Sequence, residues 1–131
     1  MKRTIFSPVR LLLIDDEKDF VNILSKRFKR RNIDVAKAFS GTEAIQMLRG
    51  QEFDVAVLDL KMEDMSGIEV LKMLKIMAPG LAVVMLTGHG SAEAAKQGIK
   101  HGAYDYLTKP CELETLLEKI MEAYAHGKLD E

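Results

Sequence analysis

The chain has 131 residues, is 47% hydrophobic and 30% charged, and carries a formal net charge of -1; this is one domain's length with apolar material for one core, and the charge gives no support to nucleic-acid binding by bulk electrostatics. The single cysteine, Cys111, excludes an intramolecular disulfide and a Cys-rich zinc site. No apolar run approaches the roughly 20 residues that cross a bilayer.

Residues 1–8 hold two basic side chains but no apolar core of the signal-peptide kind, and read as a lead-in to a domain over residues 9–124. Val9 to Ile14 is an apolar run that stops at Asp15-Asp16-Glu17, the pattern of a strand buried on both faces. From Asp19 to Arg31, Phe20, Ile23, Leu24 and Phe28 recur at helical spacing, and the basic residues of the last turn suit the negative end of a helix dipole. Ile33 to Ala38 alternates as an edge strand does. Ser40 with Glu43 three residues on is a capping box for a short helix closed by Gly50. Phe53 to Asp59 is the second wholly buried strand, again stopping at a carboxylate. Ser66 caps a helix over Gly67 to Met77, with Ile68, Val70, Leu71 and Leu74 inward, and Pro79-Gly80 breaks it. Leu81 to Leu86 is a fourth strand, ending at Thr87-Gly88. The Ala-rich helix Ala92 to Lys100, with Gly98 inside it, is expected to be the weakest. Ala103 to Leu107 is a fifth strand ahead of Thr108-Lys109-Pro110. A last helix is expected over Glu112 to Tyr124, with residues 125–131 as a polar tail or the start of a linker.

Strand then helix, five times over, implies an α/β fold: a parallel sheet with helices on both faces. In such a sheet ligands bind at the carboxyl edge. Taken alone, Asp59 could be only a loop-starter or a helix cap. The topology, however, delivers Asp15 and Asp16, Asp59, Thr87 and Lys109 to that same edge. Converging carboxylates repel unless a cation sits among them. Oxygen donors without His or Cys select a hard ion, with Mg2+ the best fit because it needs few protein ligands. Lys109 supplies a mobile positive charge for a phosphoryl oxygen and Thr87 a hydroxyl. Asp59 is the carboxylate placed for nucleophilic attack, and an aspartyl phosphate is a known kind of covalent intermediate.

These residues, together with Gly67 and the Lys109-Pro110 pair, resemble the receiver (REC, CheY-like) domain of the two-component response regulators, over about residues 9–124. The resemblance implies a flavodoxin-like (βα)5 three-layer sandwich with strand order 2-1-3-4-5. It implies Asp59 as the phosphoacceptor, with Mg2+ held by Asp16, Asp59 and the backbone carbonyl of Lys61, and by Asp15 mostly through water. Thr87 and Lys109 would meet the phosphoryl oxygens, and the bond before Pro110 would be cis. Lys61 and His89 stand where the family tunes phosphoryl lifetime. Glu63 stands where many receivers have proline, and with Asp64 adds negative charge near the site.

The resemblance further implies a cytoplasmic phosphorelay switch. A sensor histidine kinase or histidine phosphotransfer protein would phosphorylate Asp59, Thr87 would move, and Tyr106 would turn inward. The face formed by the fourth helix, fifth strand and fifth helix would then engage an output protein or domain, or a second copy as a homodimer. No membrane and no direct nucleic-acid contact are expected. The runner-up is a pseudo-receiver, an interaction module that is never phosphorylated. A turnover phosphatase is disfavoured, because such enzymes carry a second acid/base carboxylate where this chain has Lys61. A flavin-binding protein is disfavoured because it needs a phosphate-cradling loop after the first strand, and Asp15-Asp16-Glu17 would repel a phosphate without metal.

Overall fold

The computed structural model describes residues 8–88 and 92–129. Strands and helices alternate: β1 (Val9–Ile14), α1 (Lys18–Lys29), β2 (Ile33–Ala38), α2 (Gly41–Gly50), β3 (Val55–Asp59), α3 (Gly67–Met77), β4 (Ala82–Thr87), α4 (Ala92–Lys100), β5 (Asp105–Thr108) and α5 (Leu113–Leu129). The five-stranded sheet has the order β2-β1-β3-β4-β5, and every pairing is parallel. This is the flavodoxin-like α/β architecture.

Period-two geometry sends alternate strand residues to opposite faces, which builds two cores. Leu11, Leu13, Val55, Val57, Val84 and Leu86 pack with Val21, Leu24 and Phe28 of α1 and Leu116, Ile120 and Ala123 of α5. Leu12, Ile14, Ala56, Leu58, Val83 and Met85 pack with Val70, Leu71 and Leu74 of α3 on the other side. Buried on both faces, β3 carries no exposed residue.

Several boundaries differ from the sequence expectation, each for a local reason. In α1, Val21 is buried and Ile23 is 55% exposed, so the inner stripe is rotated from the expected one. That helix stops at Lys29 because Asn32 turns left-handed (φ 61), a conformation Asn tolerates. Gly50 is the last helical residue of α2 rather than its left-handed terminator. Asp54 lies outside β3; its carboxylate accepts a hydrogen bond from the Arg10 amide at 2.8 Å. Ala103 donates its amide to Gly98 at 3.0 Å, so it finishes the α4 turn and β5 begins at Asp105. The final helix runs to Leu129 rather than stopping at Tyr124, because polar residues alone do not end a helix. In the extra turn His126 sits against Tyr104, ring centroids 5.3 Å apart.

Two glycines mark the tightest approaches. Gly98 is buried where α4 presses on β4, and a methyl there would run into Met85. That contact explains a glycine inside a helix. Gly67 is the stricter case, because its Cβ would strike the Leu60 backbone, and its own amide donates to the Leu60 carbonyl at 3.1 Å. Backbone cannot move aside as a side chain can. Gly67→Ala is therefore expected to lower unfolding stability by about 1–3 kcal/mol, the usual cost of overpacking, outweighing the helix preference of alanine. Urea melts of the two chains check this.

Candidate functional site

Four strand ends build the site at the carboxyl edge of the sheet. Asp15 follows β1 and is 3% exposed, Asp59 ends β3 at 6%, and Thr87 ends β4 at 3%. Lys109 follows β5. Its ammonium lies 2.8 Å from Asp15 Oδ2, 3.3 Å from Glu17 Oε1 and 3.7 Å from Asp59 Oδ2. It also sits 4.6 Å from the centre of the Phe20 ring, whose negative face favours a cation. The Lys109 amide donates to the Thr87 carbonyl at 2.6 Å, which joins the ends of β4 and β5. The Lys109-Pro110 bond is cis.

Asp59 Oδ1 accepts from the Lys61 amide at 3.2 Å, and Asp15 Oδ1 from the Glu17 amide at 3.0 Å. Thr87 Oγ1 donates to the Leu107 carbonyl at 3.5 Å, next to the half-exposed Tyr106. Asp16 stands at the rim, where its Oδ2 accepts from the Glu63 amide at 3.3 Å. His89 lies outside the described residues.

Among the described residues, carboxylate oxygens of Asp15, Glu17 and Asp59 lie within 4.8 Å of one another. Glu17 was not singled out from the sequence. The available signal was its place as the third carboxylate in a run leaving a buried strand. Cys111, beside cis-Pro110, is half-buried, and burial pushes its thiol pKa up, so it is not an activated thiol.

Burial raises the Asp59 pKa to about 6, and the Asp15 charge adds to the rise against the pull of Lys109. For Lys109, burial acts downward, but the hydrogen bond to Asp15 and the charges of Asp59 and Asp15 outweigh it and hold its pKa above the ordinary value. The site thus gathers more negative charge than one lysine balances. An all-oxygen, anionic donor set of this kind fits a hard divalent cation such as Mg2+.

A family model described as "Response regulator receiver domain" matches residues 11–121. The chain belongs to that family. It is 35% identical over 123 residues to the transcriptional regulatory protein ZraR of Klebsiella oxytoca, covering 94% of this chain and 28% of the relative. It is 35% identical over 120 residues to the probable transcriptional regulatory protein TcrX of Mycobacterium tuberculosis, covering 92% of this chain and 51% of that one. The receiver thus spans only part of these curated relatives.

Among solved structures, a CheY-like receiver domain protein from Methanospirillum hungatei superposes with a TM-score of 0.91 at 28% identity, over 95% of this chain and all of that one (100%). A response regulator from Burkholderia pseudomallei, described with a phosphorylated aspartic acid, a calcium ion and citrate, superposes with a TM-score of 0.82 at 28% identity, over 93% of this chain and 72% of that one. The receiver is a signalling module rather than an enzyme of the ordinary kind. None of its described helices is long and apolar enough to cross a membrane.

The raised Asp59 pKa has a definite sign in stability. An acid whose folded pKa lies above its free value of 3.8 costs stability once it ionises, so the cost appears as pH rises from about 4 through about 6. In EDTA, Asp59→Asn is therefore expected to stabilise the receiver at pH 7.5 by on the order of 2–3 kcal/mol, the worth of raising the carboxyl pKa from 3.8 to about 6. The gain should shrink toward zero near pH 4. Denaturant melts at the two pH values decide it, and equal stability at pH 7.5 would contradict the charge balance described.

Proposed function

We propose that Asp59 of this receiver accepts a phosphoryl group from the phosphohistidine of a sensor kinase or histidine phosphotransfer protein. The observation that carries this reading is the buried Asp59 carboxylate at a strand end, facing Lys109 at 3.7 Å and sharing it with Asp15. Asp15, Asp16, Asp59 and the Lys61 carbonyl would hold Mg2+. When bound, that ion offsets charge on the carboxylates and on the phosphoryl oxygens.

The protein's own groups then account for the transfer. An Asp59 oxygen forms a bond to phosphorus as the bond from phosphorus to the histidine nitrogen breaks, and the imidazole leaves. The carboxylate must be ionised to attack, and its pKa of about 6 keeps it so at neutral pH. Lys109 turns its ammonium from Asp15 toward a phosphoryl oxygen, and the Thr87 hydroxyl leaves the Leu107 carbonyl to donate to another. The described phosphorylated aspartic acid in the Burkholderia pseudomallei regulator supports the same chemistry here.

Thr87 also links the chemistry to a surface. Its hydroxyl is bonded to the residue next to Tyr106, which is 41% exposed on β5. Drawing Thr87 toward phosphate frees that carbonyl and lets Tyr106 turn inward. This shifts the population of a two-state face made by α4, β5 and α5, which an output partner or domain reads. Lys61 and His89, the first beside Asp59 and the second outside the described residues, would set how long the phosphoryl group lasts.

Intact mass after incubation with acetyl phosphate tests the reading. One phosphoryl group is expected on the wild-type chain with magnesium, and none without magnesium or on Asp59→Asn. No gain on the wild type, from acetyl phosphate or from a panel of histidine kinases, would instead make the chain a phosphorylation-independent interaction module.

A further inference from the structure

The loop from Leu60 to Ser66 has no regular structure, yet it carries two groups beside the acidic site, the Lys61 backbone and the Glu63 amide. Such a segment holds position only if something outside it offsets its conformational entropy. One fastening is the Gly67 amide on the Leu60 carbonyl, which closes the loop on itself. Another is the Glu63 amide on Asp16. The Leu60 amide also donates to the Leu86 carbonyl at 3.1 Å, and Leu60, Met62 and Met65 pack against the core. A further fastening leaves the neighbourhood of the site. Asp64 Oδ1 accepts from the Gly41 amide at 3.1 Å, and Oδ2 accepts from the Thr42 amide at 3.1 Å and from Thr42 Oγ1 at 3.0 Å.

Two of those donors are first-turn amides of α2, groups a helix leaves without internal partners, and the third is the Thr42 hydroxyl. The adjoining Glu43 amide is already capped locally by Ser40 Oγ at 3.1 Å. A carboxylate from more than twenty residues away thus completes the cap, at the end of the helix where negative charge is favoured. The amides of Thr42 and Gly41 hold the Asp64 carboxyl below its ordinary range, so it stays ionised and bonded across the working pH range.

We propose that Asp64 is a positioning residue of the phosphoacceptor site. It ties the loop to α2 and thereby holds the Lys61 carbonyl and the Glu63 amide in place relative to Asp59 and Asp16. The proposal rests on the reading of Asp59 given above. It also makes α2 a remote support of the pocket, although the helix contributes no group to it. Asp64 touches neither phosphoryl group nor metal, so its effect must appear as looser organisation of groups that do.

Calorimetric titration with magnesium alone, on the metal-free chain, reads that organisation apart from any reaction. Asp64→Ala is expected to weaken magnesium binding by about tenfold, the low end for partners that orient metal ligands. Acetyl phosphate labelling should slow in step, and amide hydrogen exchange at Gly41 and Thr42 should speed up. Glu63→Ala removes the same charge from the same loop without breaking the cap, and its magnesium affinity should fall by clearly less than that of Asp64→Ala. Asp64→Asn, with the milder change of shape, should move in the same direction as alanine by a smaller factor, and serves if the alanine variant does not fold.

Unchanged magnesium affinity in a folded Asp64 variant would overturn the positioning role, even if its melting temperature fell. Equal weakening in Glu63→Ala would overturn it too, by reducing the effect to loop charge. A wild-type chain that binds no magnesium and takes no phosphoryl group would bring down the proposed function itself, and this proposal with it.

Discussion

Like charge gathered in a place of low hydration is the constraint on which the rest of the structure depends. Asp15 and Asp59 are nearly buried, Glu17 leans in from the rim, and one ammonium stands among them. A buried carboxylate is tolerated only when paired or hydrogen-bonded. Here Lys109 and the amides of Glu17 and Lys61 supply those partners. The balance is incomplete, as the raised Asp59 pKa records. A site in this condition has affinity in reserve for added positive charge. It also has a strong response to any group that adds negative charge.

The fold exists to bring those charges together from distant parts of the chain. Lys109 and Asp15 are 94 residues apart, and they meet because both follow strands of one parallel sheet. Parallel pairing aligns all the carboxyl ends on one edge, and crossover helices cover both faces. The interiors of β3 and β4 are apolar up to their last residues, which makes the abrupt change to carboxylate and hydroxyl at their ends a sharp boundary between core and chemistry.

That boundary is why so much was legible in the sequence. Val9 to Ile14 and Ile33 to Ala38 are continuous or alternating apolar runs with polar stops, and they form the expected strands. Gly67 to Met77 was plain, bounded by a serine cap and a Pro-Gly break, and Ala92 to Lys100, read as the weakest helix, forms as well. What stayed hidden depends on contacts between distant segments. Helical spacing cannot choose between Val21 and Ile23 when both fit an apolar stripe; packing against β1 and α5 decides. The extra length of α5 has no clear apolar periodicity; there His126 packs its ring against Tyr104. Asp64 looked like one more loop carboxylate, because its partners on α2 lie more than twenty positions away. Glu17 was visible as a carboxylate, but only the geometry turns it toward Lys109.

The two margins of the sheet carry a further consequence. β2 on one side bears exposed Asp34 and Lys37, and β5 on the other is four residues long and runs into Lys109 and cis-Pro110. Short or charged border strands, and proline next to them, discourage backbone-to-backbone docking by a foreign strand. The sheet is thereby closed to growth by strand addition. Contacts of this receiver with other proteins then fall to its surface side chains, without opening the backbone of the sheet to fibre-like stacking.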